Sequence, residues 1–294
     1  MKLVTYLYDG SQHIGVINRS GKITDISDIV KTNDMTVLIE RFDEVKSTLK
    51  LCSESDDASA VAIDAVTLLA PLPATRRNIF CVGKNYYAHA EEFGNSGYDS
   101  SAAAGNVPTR PIIFSKPSTS ISGPGNAIDT SLDPHDTVDY EAELAVVLGK
   151  KGRLAQGEDP MSFVFGYTLV NDVTSRHLQK QHSQWLLGKG IDGFCPMGPV
   201  LVTADEFGDP GDQILSCHVN GELRQQATLA DLIFKVPQLI TTLGQSITLL
   251  PGDVIATGTP AGVGLGFTPP RYLKKGDNVT VSMNEIGQLT NPVI

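Results

Sequence analysis

The 294-residue sequence predicts a mainly β protein with a minority of helix, an α+β fold. A small N-terminal α/β unit, residues 1–70, is expected before a larger unit at 71–294. Three observations carry this reading. Short runs rich in β-branched residues recur along the chain, bounded by Gly, Asn, Asp or Pro. Few stretches carry apolar residues at helical spacing. Ser53 to Ala60 is small, polar and acidic, and Pro71 and Pro73 then punctuate a boundary near residue 70.

In order, Lys2–Tyr8 and His13–Asn18 read as strands about the turn Asp9-Gly10-Ser11, and Ile23–Ile26 follows a second turn. Val37, Leu38, Phe42, Val45 and Leu49 predict one amphipathic helix over 35–50. Arg77–Val82 is a short apolar strand. Gly83-Lys84-Asn85 turns it into a helix, Tyr86–Phe93, that Gly94 stops. Residues 94–108 are mostly Gly, Ser, Asn and Ala, which predicts a mobile segment, either a lid beside the site or an ordinary surface loop. Pro111–Phe114 is a strand, Val138–Leu148 a longer one, and Phe163–Val170 a third. A helical segment, Val173–Gln179, follows Asn171-Asp172. A glycine-rich loop around Lys189 leads to the strand Val200–Val202. The C-terminal third is mostly β. It holds an Asn220-Gly221 hairpin, a helix over 229–243 with Pro237 as a kink or helix break, a strand and glycine-rich loop from Val254 to Gly264, and a last strand, Val279–Met283.

Composition narrows the function. A net charge of −10 argues against nucleic acid and anionic membrane surfaces as partners. No apolar run approaches the ~18 residues of a membrane helix. The first residues lack the apolar core of a signal peptide, so a cytoplasmic location is expected. The four cysteines, Cys52, Cys81, Cys195 and Cys217, form no C-x-x-C pair, which fits a reducing compartment. Cys81 and Cys195 read as core fillers.

Glu141 and Glu143 stand two apart in a strand, so both project to one face. Carboxylates that close repel unless a cation holds them, and paired oxygens suit Mg²⁺, Mn²⁺ or Ca²⁺. A solvated acidic face is the plainer alternative. Asp172 stands where a buried strand meets a helix, with Arg176 and Gln179 following on one helical face. It is either a metal-bearing carboxylate above a substrate site or an N-cap paired with Arg176. His89 and Glu92, three apart on a helix, form an acid–base dyad or an idle surface pair. Lys189, set among glycines and apolar residues, needs an anionic partner if buried. Thr259 and its glycine-rich loop offer a hydroxyl and backbone amides to an oxyanion. A strand–glycine–helix dinucleotide fingerprint is missing.

Five motifs recur in a definite order: Cys81-Val82-Gly83-Lys84-Asn85-Tyr86 with His89 and Glu92; Asp139-Tyr140-Glu141-Ala142-Glu143-Leu144; Asn171-Asp172-Val173-Thr174-Ser175-Arg176; Gly188-Lys189; and Thr257-Gly258-Thr259-Pro260-Ala261-Gly262-Val263-Gly264. Together, over roughly 70–294, they resemble the fumarylacetoacetate hydrolase family. The resemblance implies a mixed β-sandwich roll around a divalent metal, usually Mg²⁺, and often a homodimer. It implies metal ligation by Glu141, Glu143 and Asp172. It implies a lid helix carrying catalytic His89 and Glu92, a catalytic Lys189, and substrate contacts from Arg176, Gln179 and Thr259. Gly190 and Gly193 stand where many relatives carry Ser and Thr, so the lysine loop lacks those hydroxyls. The reaction this implies is metal-dependent hydrolysis of a C–C bond in an acylpyruvate-type β-diketo acid, a small 2-oxo acid, through an enolate that the metal stabilises. The same enolate would serve oxaloacetate decarboxylation, hydroxymuconate-type isomerisation or sugar-acid dehydration. A non-catalytic β module holding structural Ca²⁺ is the rival from another class, and His89 and the lid argue against it.

Overall fold

Every residue of the strand Ala142–Leu148 is buried in the computed structural model, which describes residues 1–95 and 107–294. A strand of continuous apolar character needs cover on both faces, and this one has it. Ala142, Leu144, Val146 and Leu148 enter one core, and Ala145 and Val147 enter another. The four-stranded sheet supplies Leu215, Cys217, Val279 and Val281 to the first core. N-terminal helices supply Val30, Leu38, Ile39 and Leu49 to the second.

The strand sits within an eleven-stranded sheet of the described residues. The order is Ile23–Asp25, Ser11–Ile17, Lys2–Tyr8, Cys195–Thr203, Val164–Asn171, Ala142–Leu148, Val254–Ala256, Ile79–Gly83 and Ile112–Lys116, with Thr67–Leu68 and Ile121–Ser122 paired off that path. Pairing is antiparallel except where Val254–Ala256 meets Ile79–Gly83 and Ile121–Ser122 meets Cys195–Thr203. The N-terminal meander joins the same sheet, Leu3 lying opposite Leu201. A second, antiparallel sheet runs Glu222–Thr228, Ile214–Val219, Asn278–Met283, Gly287–Pro292. Its hairpin turns at Asn220 and Gly221, whose φ values of 53° and 79° suit a tight turn. Sheet predominates and helices are few, as the sequence predicts. Among the described residues no helix is long and apolar enough to cross a membrane.

Four local expectations are corrected. The helix over 35–50 is two, Met35–Glu40 and Phe42–Glu54, because Arg41 leaves helical geometry and donates its Nη1 to Val30 O at 2.9 Å. The helix over 229–243 is broken rather than kinked: a single turn, Leu229–Asp231, precedes a separate helix, Val236–Gly244, and Pro237 lies in that helix's first turn, where a missing N–H costs no bond. Val138–Leu148 is broken at Tyr140-Glu141: Val138–Asp139 pairs with Thr174–Ser175, and the long strand begins at Ala142. At the break the Glu141 N–H donates to Asn171 Oδ1 at 3.0 Å and its carbonyl accepts from the Asp172 N–H at 2.8 Å. The helix after Asp172 starts at Arg176, not Val173. The lid expected over 94–108 lies, from 96 to 106, outside the described residues.

Candidate active site

Three carboxylates converge where the break at Glu141 meets the end of the strand Val164–Asn171. Oxygens of Glu141, Glu143 and Asp172 lie within 4.8 Å of one another, and all three residues are buried. Their electrostatics differ. Burial would raise the Glu141 carboxyl, but Lys189, Arg176 and His89 outweigh it and hold it down to about 2. Burial, with Asp172 and Glu141 adding to it, pushes Glu143 well above the usual carboxylate range. Among the described residues Glu143 has one donor, the Gly258 N–H at 2.8 Å, and no ion pair. An oxygen-rich group of acids with one carboxylate lacking a cation fits Mg²⁺, Mn²⁺ or Ca²⁺.

Lys189 ends the one-turn helix Leu186–Lys189. Its ammonium donates to Glu141 Oε2 and Asp172 Oδ2, both at 2.7 Å. Burial alone would lower its pKa, yet Asp172 and Glu141 raise it above the ordinary lysine value. Arg176 is fully buried. Its Nε donates to Asp139 Oδ2 at 2.8 Å, and its Nη1 reaches Glu141 Oε1 at 2.7 Å and Gln179 Oε1 at 3.1 Å. Its Nη2 is buried and has no hydrogen-bond partner among the described residues. The N-cap reading of Asp172 therefore fails: Ser175 caps the helix, and Asp172 pairs with two lysines instead.

His89 is buried, and its Nδ1 lies 3.2 Å from Glu92 Oε2. The pair is not an idle surface contact, since Glu92 also accepts the Gly262 N–H at 3.0 Å. The helix carrying them extends to Asn95, so Gly94 does not stop it. Thr259 is buried and its hydroxyl accepts from Gln225 Nε2 at 2.8 Å, which leaves its own proton to donate.

A narrow cleft brings His89, Glu141, Glu143, Arg176, Gln179, Lys189 and Thr259 to one space. Phe93, Phe114 and Trp185 wall it. Gly83 lets the wall close, since a Cβ there would lie 2.4 Å from the Trp185 ring. Every predicted site residue except Asp172 and Glu92 lines this cavity, and those two bond directly to residues that do.

Four residues of the site went unread in the sequence. Lys116 is fully buried and donates to Asp172 Oδ1 at 2.7 Å, to Val173 O at 3.0 Å and to Lys189 O. Its only signal was a lysine closing an apolar strand before a proline. Asp139 lay inside the acidic motif. Asn85 binds the helix-entry turn to the Thr257 carbonyl at 2.7 Å. Gln225 carried no signal at all.

The family profile described as fumarylacetoacetate (FAA) hydrolase C-terminal matches residues 78–294. The chain belongs to the fumarylacetoacetate hydrolase family. The oxaloacetate tautomerase YisK of Bacillus subtilis is 44% identical over 232 residues, covering 79% of this chain and 74% of that protein. The mitochondrial oxaloacetate tautomerase FAHD2B of Bos taurus is 38% identical over 287 residues, 96% of this chain and 87% of that protein. A fumarylacetoacetate hydrolase from psychrophilic Exiguobacterium antarcticum superposes with a TM-score of 0.83 at 40% identity, covering 100% of this chain and 99% of that one. A maleylpyruvate hydrolase from Sphingobium sp. SYK-6, solved with manganese(II) and pyruvate, gives a TM-score of 0.79 at 29% identity, with 100% and 99% covered. The protein is thus an enzyme of this family, and the fold expected from its motifs is the fold it has.

Proposed function

We propose that the enzyme interconverts the keto and enol forms of a small 2-oxo dicarboxylic acid, with oxaloacetate as the substrate. This is the proton-transfer branch of the chemistry expected from the sequence. One observation carries it: a buried imidazole, oriented by Glu92, opens on the cavity that holds the carboxylate cluster. The names of the tautomerase relatives support the same substrate.

Glu141, Glu143 and Asp172 would hold the divalent cation, which supplies a Lewis acid that polarises the 2-oxo group. The chain's own residues do the rest. An Nδ1–H of His89 that donates to Glu92 leaves Nε2 as the base that takes the C3 proton of the keto form and passes it to the 2-oxo oxygen to complete the enol, and the reverse order returns it to C3. Lys189 and the Thr259 hydroxyl supply donors for the oxygen on which negative charge grows. The free Nη2 of Arg176 is a ready donor for a substrate carboxylate. Phe93, Phe114 and Trp185 exclude water, which strengthens each of these contacts.

Hydrolysis of an acylpyruvate is the second reading, favoured by the likeness to the manganese- and pyruvate-bound hydrolase. There His89 would activate a water instead of taking a carbon-bound proton. The two separate in one experiment on Mn²⁺-loaded protein, followed by NMR. Faster enol–keto exchange of oxaloacetate, with the four-carbon acid conserved, is the expected result. Acetate and pyruvate formed from acetylpyruvate, or CO₂ released from oxaloacetate, would overturn it in favour of hydrolysis or decarboxylation.

A further inference from the structure

We propose that Asp139 is a positioning residue that acts through Arg176 and fixes it against the loop on which the acid–base pair docks. The inference rests on the reading of Arg176 as a substrate-carboxylate donor.

Asp139 is fully buried and each of its oxygens is committed. Oδ1 accepts the Tyr140 N–H at 2.9 Å and the Gly264 N–H at 2.7 Å. Oδ2 accepts the Leu265 N–H at 3.0 Å and Arg176 Nε at 2.8 Å. One carboxylate therefore ties the arginine to two successive amides of the loop after Thr259. Glu92 reads the same loop two residues earlier, at the Gly262 N–H, 3.0 Å away. Arg176 is then clamped from both sides, by Asp139 at Nε and by Glu141 and Gln179 at Nη1, with Nη2 left over. A planar guanidinium held at two of its nitrogens has its third direction fixed. The aim of Nη2 is thus set by a residue that lines no part of the cavity.

Space around the carboxylate is closed as well. A Cβ on Gly264 would lie 2.6 Å from Asp139 Oδ1, so the loop approaches the acid as only glycine permits. The carboxylate has no room to swing and no spare lone pair for another role.

A double-mutant cycle tests coupling inside such a network. The variants are Asp139→Asn and Arg176→Lys, alone and together. The probe is oxalate binding to Mn²⁺-loaded protein by calorimetry, beside KM and kcat with oxaloacetate. Asp139→Asn is expected to weaken oxalate binding and raise KM by about tenfold, with kcat changed far less. In the Arg176→Lys background the same change is expected to shift binding by less than about twofold. Asp139→Ser, which needs less room than the aspartate, carries the cycle if Asp139→Asn does not fold. Equal losses in both backgrounds, or an unchanged oxalate affinity in Asp139→Asn, would overturn the proposal. Failure of both Asp139 variants to fold would assign the residue to the fold alone and overturn it too. The oxalate arm needs no turnover. Wild-type protein that ignores oxaloacetate yet shows the coupling would sink the tautomerase reading and leave this one standing.

Discussion

Replacing Lys116 by methionine deletes an ammonium group while keeping most of the side-chain volume. In the structure that group is fully buried and spends all three protons, on Asp172 Oδ1, Val173 O and Lys189 O. Deleting one member of a buried ion pair costs about 3–5 kcal/mol. Two orphaned carbonyls add about 1–3 kcal/mol each. Asp172 keeps Lys189 as a partner at 2.7 Å, so the lower ends apply. The sum is then about 5 kcal/mol. At about 2 °C per kcal/mol for a chain of this size, the melting temperature falls by roughly 10 °C. Circular dichroism melts at fixed pH and fixed metal concentration measure this. The double variant Lys116→Met/Asp172→Asn should recover part of the loss, because a neutral amide needs no counter-charge. A loss under about 1 kcal/mol, the size of an ordinary substitution, would refute the claim that this ammonium holds the carboxylate turn to the lysine helix.

Three further outcomes are expected. His89→Ala should lower kcat by about 10²–10⁴-fold with Mn²⁺ affinity unchanged, and parallel loss of metal binding would take His89 out of proton transfer. Gly266→Ala places a Cβ 1.9 Å from Glu92 Oε1. Glu92 should leave the Gly262 amide, and kcat should fall by about tenfold or more while the fold, judged by its melt, persists. The third concerns pH in metal-free protein. Glu143 is pushed up, so its contribution to stability is intact below the unfolded carboxyl pKa of about 4.3 and is lost as pH climbs through its raised folded value. Glu141, held down to about 2, works the other way: its contribution is present above about 4.3 and fades as pH drops toward 2. Glu143→Gln should therefore melt above wild type at pH 8 and level with it at pH 4. Identical pH slopes for the two proteins would contradict the assignment.

Much of the site was legible because its chemistry is written in short motifs. Glu141 and Glu143 were expected on one face, and their oxygens do converge with Asp172. The route differs from simple strand alternation, since Glu141 lies outside the ladder and is placed by Asn171. Such a break is invisible to periodicity, which registers apolar residues and not where a backbone amide finds its acceptor. Lys116 and Gln225 were hidden for a related reason. Each is polar because of a partner 56 or 34 residues away, and no local pattern encodes that distance. The single helix over 35–50 failed on its own continuity: the apolar spacing runs through Arg41 without a gap, while Asp34 and Arg41 set the ends.

The strand Ala142–Leu148 separates two cores and carries Glu143 on the side of the second. A wall shared by two rooms cannot be moved for either one. Enlarging Ala145 or Val147 would press on the N-terminal helices, and enlarging Leu144 or Val146 would press on the four-stranded sheet. Overpacking of that kind costs about 1–3 kcal/mol each time. Room to adapt the cavity to a longer or shorter acid therefore lies in segments that rest on the wall without being part of it: the turn at 83–85, the lysine helix and the loop at 258–266. An attempt to retune this enzyme should begin there.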